Sequence, residues 1–280
     1  MRSEFLLCFG PHGFHRLHYT DWGDRDNPNV IFCVHGLTRN CRDFDIIAAK
    51  LAQRYRVICP DMPGRGRSDW LSDRSDYNLN VYMADVVTLL ARVGVEKIDW
   101  LGTSMGGLIG MLLAAQSNTP INNLIMNDIG PCISDESKRR IAQYVGTDPR
   151  FSNMVALEDY IRRIHAPFGA LTDSQWRHLA KHSAKKLTEN EYALHYDPGI
   201  ADAFKQTGVT PIDLWPVWDF VNCPVLLLRG ADSDLLTTAT VAGMERRGPN
   251  TSVIEFTGIG HAPALMSDEQ IGVVSDWLYS

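Results

Sequence analysis

The sequence lacks the features that point to nucleic acid, membranes or an oxidising compartment. It has no run of Lys or Arg and a formal net charge of −6, which argues against nucleic acid and anionic membranes as partners. The apolar stretch at residues 5–9 is too short for a signal peptide, and no later stretch could span a bilayer. Six cysteines are scattered without a C-x-x-C pair. They predict reduced structural thiols and a cytoplasmic protein.

What the sequence does have is an alternation of short apolar runs and amphipathic stretches. The 280 residues, 45% of them hydrophobic, can bury a large core. The first 22 residues predict a hairpin that turns near residues 10–13. Runs that are apolar on both faces indicate buried parallel strands; they lie at 30–34, 56–59, 98–101, 124–127, 225–229 and 252–256. Amphipathic helices are predicted from Leu79 to Gly94 and from Ser267 to Leu278.

One long segment breaks this alternation. Residues 132–217 contain no convincing strand, and helical pieces at 137–144, 157–165 and 173–186 are separated by prolines. We expect a helical cap, inserted after the sixth strand, between two parts of a core at residues 1–131 and 218–280. The predicted fold class is therefore α/β, with a mostly parallel eight-stranded sheet, helices on both faces and a cap insertion.

Gly102-Thr103-Ser104-Met105-Gly106-Gly107 lies between a predicted strand and a predicted helix. This pattern is typical of a nucleophile elbow, a sharp turn that holds a serine hydroxyl clear of the backbone. The glycines leave room for the turn. The backbone N–H of Met105, at the start of the helix, can then stabilise negative charge in front of Ser104.

A serine nucleophile needs a base, and the base needs an orienting acid. His261 follows the last predicted strand, at the edge of the sheet where Ser104 also lies, and we predict that it is the base. The backbone N–H of Leu37, after the strand at 30–34, can supply the second oxyanion donor, and His35 beside it is predicted to be structural.

Several other motifs have simpler interpretations. The glycines within residues 61–68 lack the G-K-[ST] of a phosphate-binding loop, so we predict a tight turn. On an extended strand, His15 and His18 point to opposite faces, which argues against a metal cluster with His12. His178 and His182 could share a metal, but no nearby Cys or third His completes a site. We expect neither a metal nor a cofactor.

Four motifs in order carry a resemblance to the α/β-hydrolase superfamily over almost the whole chain: H-G at 35–36, D-x-x-G-x-G-x-S at 61–68, G-x-S-x-G-G at 102–107 and G-x-G-H at 258–261. Stretches at 36–45, 102–110, 127–131, 196–198 and 229–237 are more narrowly similar to a bacterial subgroup. The resemblance implies that some relatives are intracellular hydrolases of 3-hydroxybutyrate oligomers.

The triad acid stays open among three aspartates. The family usually places it three residues beyond a glycine after the seventh strand, and that position here is Ser233. The subgroup pattern R-G-x-x-S-D-L-L favours its neighbour Asp234. Some relatives supply the acid after the sixth strand, which makes Asp128 the second choice, and Asp232 suits a turn.

Together these features predict a hydrolase of short-chain or hydroxyacyl carboxylic esters. Ser104, Asp234 and His261 would be the triad, and Leu37 and Met105 the oxyanion hole. One alternative is a carbon–carbon bond hydrolase of the β-diketone type with the same triad. The other is a non-catalytic binding protein that uses the same pocket as a receptor.

Overall fold

A computed structural model describes residues 1–202 and 212–280, and its centre is an eight-stranded sheet. The strands of the described chain are β1 (Arg2–Gly10), β2 (Gly13–Trp22), β3 (Val30–Val34), β4 (Arg56–Asp61), β5 (Ile98–Thr103), β6 (Ile121–Asn127), β7 (Cys132–Ile133), β8 (Ala184–Thr188), β9 (Glu191–Leu194), β10 (Ile212–Asp213), β11 (Val225–Gly230) and β12 (Thr251–Phe256). The large sheet has the order β1-β2-β4-β3-β5-β6-β11-β12. Within this sheet the six consecutive strands β4, β3, β5, β6, β11 and β12 are parallel, as the apolar runs predicted.

The predicted hairpin and the six predicted strands are all present, and five of the strands extend further than predicted. At the carboxyl edge, β5 continues through Gly102 and Thr103, which pair with Met126 and Asn127 of β6. Gly102 and Thr103 have small or polar side chains, so a prediction from the hydrophobic pattern ends the strand at Leu101. Their backbones nevertheless still pair with β6. The sheet therefore extends up to the residues that carry the candidate chemistry.

Helices cover both faces of the sheet. Among the described residues they are α1 (Asp45–Leu51), α2 (Leu79–Val93), α3 (Met105–Ala114), α4 (Asp135–Tyr144), α5 (Met154–Ile164), α6 (Asp173–Ser183), α7 (Trp215–Trp218), α8 (Thr238–Arg247) and α9 (Asp268–Tyr279), with 3₁₀ turns at Cys41–Phe44, Arg74–Asp76 and Ala166–Phe168. Leu89 of α2 and Ile109 of α3 belong to one buried cluster, and Ile47 of α1 and Ile271 of α9 to the other. None of the helices in the described part of the chain is long and apolar enough to cross a bilayer.

Between β6 and β11 the chain forms α4, α5 and α6, but it also contains short strands. The predicted helix at 173–186 ends at Ser183, and Ala184–Thr188 pairs with Glu191–Leu194 as an antiparallel hairpin. The prediction of a segment without strands is therefore wrong, because these strands are short and their exposed residues give no buried apolar run. Residues 203–211, which include the predicted break at Pro211, lie outside the described residues.

Candidate active site

Ser104 lies at a strained turn between β5 and α3. Its backbone has φ 52° and ψ −113°, a combination that residues with a side chain rarely adopt. The turn requires glycine on either side: a β-carbon at Gly102 would lie 2.2 Å from the Gly106 carbonyl oxygen, and one at Gly106 would lie 2.0 Å from that of Val34. The chain therefore has the geometry of the predicted nucleophile elbow.

His261 connects Ser104 to a buried carboxylate. Its Nε2 lies 3.0 Å from the Ser104 Oγ, and its Nδ1 lies 2.6 Å from Oδ2 of Asp128. Because an ionised carboxylate only accepts hydrogen bonds, Nδ1–H must donate to Asp128. In the neutral ring this leaves the lone pair of Nε2 facing the serine hydroxyl, which is the arrangement that a general base requires.

Asp128 directly follows β6 and has a left-handed backbone, with φ 57°. Its side chain is fully buried and accepts hydrogen bonds from the backbone N–H of Gly230 at 2.9 Å and from the hydroxyl of Ser233 at 2.6 Å. A buried carboxylate needs such donors, since each replaces a water that it has lost. Ser233, which has no role in the sequence-based site, thus helps to fix the acid. It occupies the position where the resemblance places the acid itself.

The structure does not bring Asp234 to His261, which corrects the first choice among the three aspartates. The Asp234 side chain is 54% exposed and forms an ion pair with Arg140. Asp232 is also exposed. Both carboxylates of the loop after β11 are thus exposed to solvent, while Asp128 follows the adjacent strand β6. Asp128, the second choice, is the carboxylate in contact with His261.

The two predicted oxyanion donors lie in the right part of the molecule. Leu37 and Met105 both line the cavity that contains Ser104 and His261. Met105 begins α3, so its N–H has no partner within the helix. Arg65 fixes the Leu37 loop, because the Leu37 carbonyl oxygen accepts a hydrogen bond of 2.8 Å from Nε of Arg65.

His35 anchors the same loop. Its Nδ1–H donates to the Gly36 carbonyl oxygen at 2.7 Å, and its Nε2 accepts the backbone N–H of Met62 at 2.9 Å. Burial lowers the pKa of His35 to about 4. The ring is therefore neutral at pH 7, and its contacts are structural, as predicted.

This buried histidine gives a pH-dependent stability that can be measured. Because the unfolded chain takes up the proton first, its contribution is fully present above pH 6.5 and is lost as the pH falls towards 4. For a shift from 6.5 to about 4, the unfolding free energy should drop by about 2 kcal/mol between pH 7 and pH 5. His35→Gln can still accept from Met62 but cannot titrate. Urea unfolding at both pH values should show a smaller drop in this variant, and an equal drop would contradict the assignment.

Ser104 opens into a cavity of about 370 Å³. Its walls are mostly apolar, and the segment between β6 and β11 contributes Ile141, Tyr144, Ile164 and Phe168 to them. The same segment also contacts the histidine loop, because the Pro167 carbonyl oxygen accepts a hydrogen bond of 2.8 Å from the Gly260 N–H. A cavity of this size and character suits a small, largely apolar substrate.

The three histidines of the N-terminal hairpin have carboxylate partners. His12, His15 and His18 contact Asp76, Asp85 and Asp61 respectively. Asp61 begins the predicted tight turn; burial raises its pKa, but the hydrogen bond and charge of His18 outweigh this and lower it to about 2. The carboxylate thus holds the turn together and is not part of a phosphate-binding loop.

The i, i+4 pair in α6 packs against the 3₁₀ turn before α1. His178 and His182 have ring centroids 4.6 Å apart, and Nε2 of His178 lies 2.9 Å from the Arg42 carbonyl oxygen and 3.5 Å from Asp45. Asp45 is therefore a third group near this pair that the sequence did not indicate. Its carboxylate is bound by the guanidinium of Arg42.

Comparison with known proteins agrees with this architecture. Residues 29–263 match the family model described as the alpha/beta hydrolase fold. A curated relative, the 3-hydroxybutyrate-oligomer hydrolase of Cupriavidus necator, is 44% identical, and the match covers 97% of this chain and 96% of the relative. The chain belongs to the α/β-hydrolase family.

Two solved structures support the same placement in the family. A putative hydrolase from Rickettsia typhi is 33% identical with a TM-score of 0.94, and the match covers 100% of this chain and 99% of that one. An alpha/beta hydrolase from Novosphingobium aromaticivorans is 37% identical with a TM-score of 0.87, and the match covers 99% and 98%. The predicted fold class is confirmed, and so is the predicted enzyme class, a hydrolase acting on ester bonds.

Proposed function

We propose that the chain hydrolyses carboxylic esters through an acyl-enzyme on Ser104, with His261 as the base and Asp128 as the acid. The observation that carries this proposal is the continuous series of hydrogen bonds from the Ser104 hydroxyl through His261 to Asp128. It lies at a strained elbow that opens into an apolar cavity. A serine, a base and an orienting acid in this order form a charge arrangement suited to acyl transfer.

In the first half-reaction, Nε2 of His261 removes the proton of Ser104 as Oγ attacks the ester carbonyl carbon. The tetrahedral oxyanion lies towards the N–H groups of Leu37 and Met105, which stabilise it. Asp128 stabilises the imidazolium, which then protonates the leaving alcohol. In the second half-reaction, His261 takes a proton from water, the hydroxide attacks the acyl carbon, and the acid leaves as Oγ regains its proton.

The proposed substrates are short hydroxyacyl esters, with 3-hydroxybutyrate oligomers as the leading case. The support is the 44% identity to the Cupriavidus necator hydrolase, which acts on such oligomers by name. The cavity of about 370 Å³ with mainly apolar walls suits a few short acyl units. Six free thiols support the accompanying proposal that the protein works in a reducing compartment, the cytoplasm.

Burst kinetics with 4-nitrophenyl acetate tests the mechanism directly. An acyl-enzyme should release one equivalent of nitrophenol per active site in a fast phase, followed by slower turnover. A binding protein would give neither phase. Rapid cleavage of a β-diketone without hydrolysis of esters would favour the carbon–carbon hydrolase instead.

We also propose that residues 132–217 form the cap and that residues 1–131 and 218–280 form the core. If the cap shapes the acyl site, Phe168→Ala should raise kcat/KM for longer acyl chains relative to acetate about tenfold, since it enlarges an apolar wall. The control is Val155→Ala, which alters an exposed side chain of α5. A chain-length series of 4-nitrophenyl esters provides the measurement. An unchanged preference in Phe168→Ala would argue that this wall does not contact substrate.

A further inference from the structure

Two arginines line the cavity beside Ser104, and the carboxylates paired with them, Asp43 and Asp234, lie outside the lining. Its described lining includes the side chains of Arg39 and Arg140 but no Asp or Glu. A neutral ester needs no such charge, whereas an anion in an apolar cavity does. The two arginines differ in how firmly they are held.

Arg39 is already fixed. Its buried guanidinium binds both oxygens of Asp43, through Nε at 2.8 Å and Nη2 at 2.6 Å, and Nη1 donates to the Ser183 hydroxyl at 2.8 Å. Binding a further anion would require breaking this buried pair, which is costly. Arg39 therefore links the cap to the core and is not available to a ligand.

Arg140, on α4, is held much less firmly by its partner. Its partner Asp234 does not line the cavity and is more than half exposed, and the Arg140 side chain is itself 37% exposed. Nη2 donates to Oδ1 at 2.9 Å, while Nε lies 2.6 Å from Oδ2 without the alignment of a hydrogen bond. An exposed pair of this kind contributes little to stability, because water solvates both charges.

We propose that Arg140 is a carboxylate-binding residue that exchanges Asp234 for the free carboxylate of an acidic ester substrate. Inside the cavity the same guanidinium meets the anion in a medium of lower dielectric than at the surface, so the charge-assisted hydrogen bonds are stronger. Asp234 holds the guanidinium at the cavity wall until substrate arrives. This accounts for an aspartate that the resemblance marks out but that does not contact His261.

The inference rests on the proposed ester hydrolysis and names the substrate class more closely: esters whose other end is an ionised carboxylate. A linear hydroxyacid oligomer has such an end, and its terminal carboxylate disappears when it is esterified. The matched pair for testing is therefore the dimer of 3-hydroxybutyrate as the free acid and as its methyl ester. Cleavage of the internal ester is followed in both by chromatography of the products.

The wild type should prefer the free acid. Arg140→Gln should lower kcat/KM for the acid by 10- to 100-fold, the range for a lost charge-assisted hydrogen bond, and change it less than twofold for the methyl ester. Arg140→Lys keeps the positive charge but lacks the planar set of donors with which a guanidinium binds both oxygens of a carboxylate, so it should retain part of the preference. Asp234→Asn removes the competing anion, so it should raise kcat/KM for the acid severalfold.

Three results would overturn the assignment: equal losses on both dimers in Arg140→Gln, no loss on either, or a fall on the acid in Asp234→Asn. The methyl ester separates this failure from failure of the proposed function. If the wild type cleaves the methyl ester and 4-nitrophenyl acetate but shows no dependence on Arg140, only the carboxylate site is wrong. If it cleaves none of these esters, ester hydrolysis itself is wrong.

Discussion

Asp128→Asn should lower kcat about 10⁴-fold on a neutral ester, the loss seen when the corresponding residue of other serine triads is changed in this way. Asn tolerates the left-handed backbone found at this position, so the fold should persist. Its oxygen can keep the hydrogen bond from the Gly230 N–H, but its NH₂ group then faces Nδ1 of His261. That nitrogen must become an acceptor, which places the proton on Nε2, where it can no longer accept from Ser104.

Asp234→Asn is the matched control for this result. It makes the same chemical change in an exposed residue of the neighbouring strand's loop, so kcat on 4-nitrophenyl acetate should stay within threefold of the wild type. Circular dichroism and urea unfolding check that both variants are folded. Wild-type turnover in Asp128→Asn, or collapse in Asp234→Asn, would return the acid to the loop after β11.

The contrast between these aspartates shows where reading the sequence succeeds. Strands that are buried on both faces, the glycines of the elbow and the histidine after the last strand all depend on local pattern. The sheet and the close contacts around Gly102 and Gly106 confirm the strands and the glycines, because each requirement lies within a few residues of chain. The structure places the predicted base, His261, 3.0 Å from the Ser104 hydroxyl. The short strands Ala184–Thr188 and Glu191–Leu194 were not predicted, because few of their side chains are buried and they show no such pattern.

The acid could not be chosen in this way because the choice depends on where two adjacent loops point. β6 and β11 are neighbours in the sheet, so carboxylates that follow either strand begin near the same edge. What decides between them is the left-handed backbone of Asp128 and the hydroxyl of Ser233 that supports it. Neither the backbone conformation of Asp128 nor its hydrogen bond from Ser233, more than a hundred positions away, can be predicted from the spacing of residues in the sequence.

Ser104→Ala should abolish the burst with 4-nitrophenyl acetate and lower kcat by about 10⁶-fold, as loss of the nucleophile does in other serine triads. Without Oγ no acyl-enzyme can form, and what remains is water attack assisted by the oxyanion donors. The hydroxyl's protein partner is Nε2 of His261, which lies at the cavity. The unfolding free energy should therefore change by less than about 1 kcal/mol.

Ser104→Gly separates the chemical role of the residue from its strain. Glycine adopts the positive φ of 52° without the penalty that a β-carbon brings, although its unfolded chain is more flexible. We expect this variant to be as inactive as Ser104→Ala and at least as stable. Urea unfolding compares the two, and active-site titration confirms that no acyl-enzyme forms in either. If both variants kept a burst, the nucleophile would be another residue; if glycine were clearly less stable than alanine, the turn would store no strain.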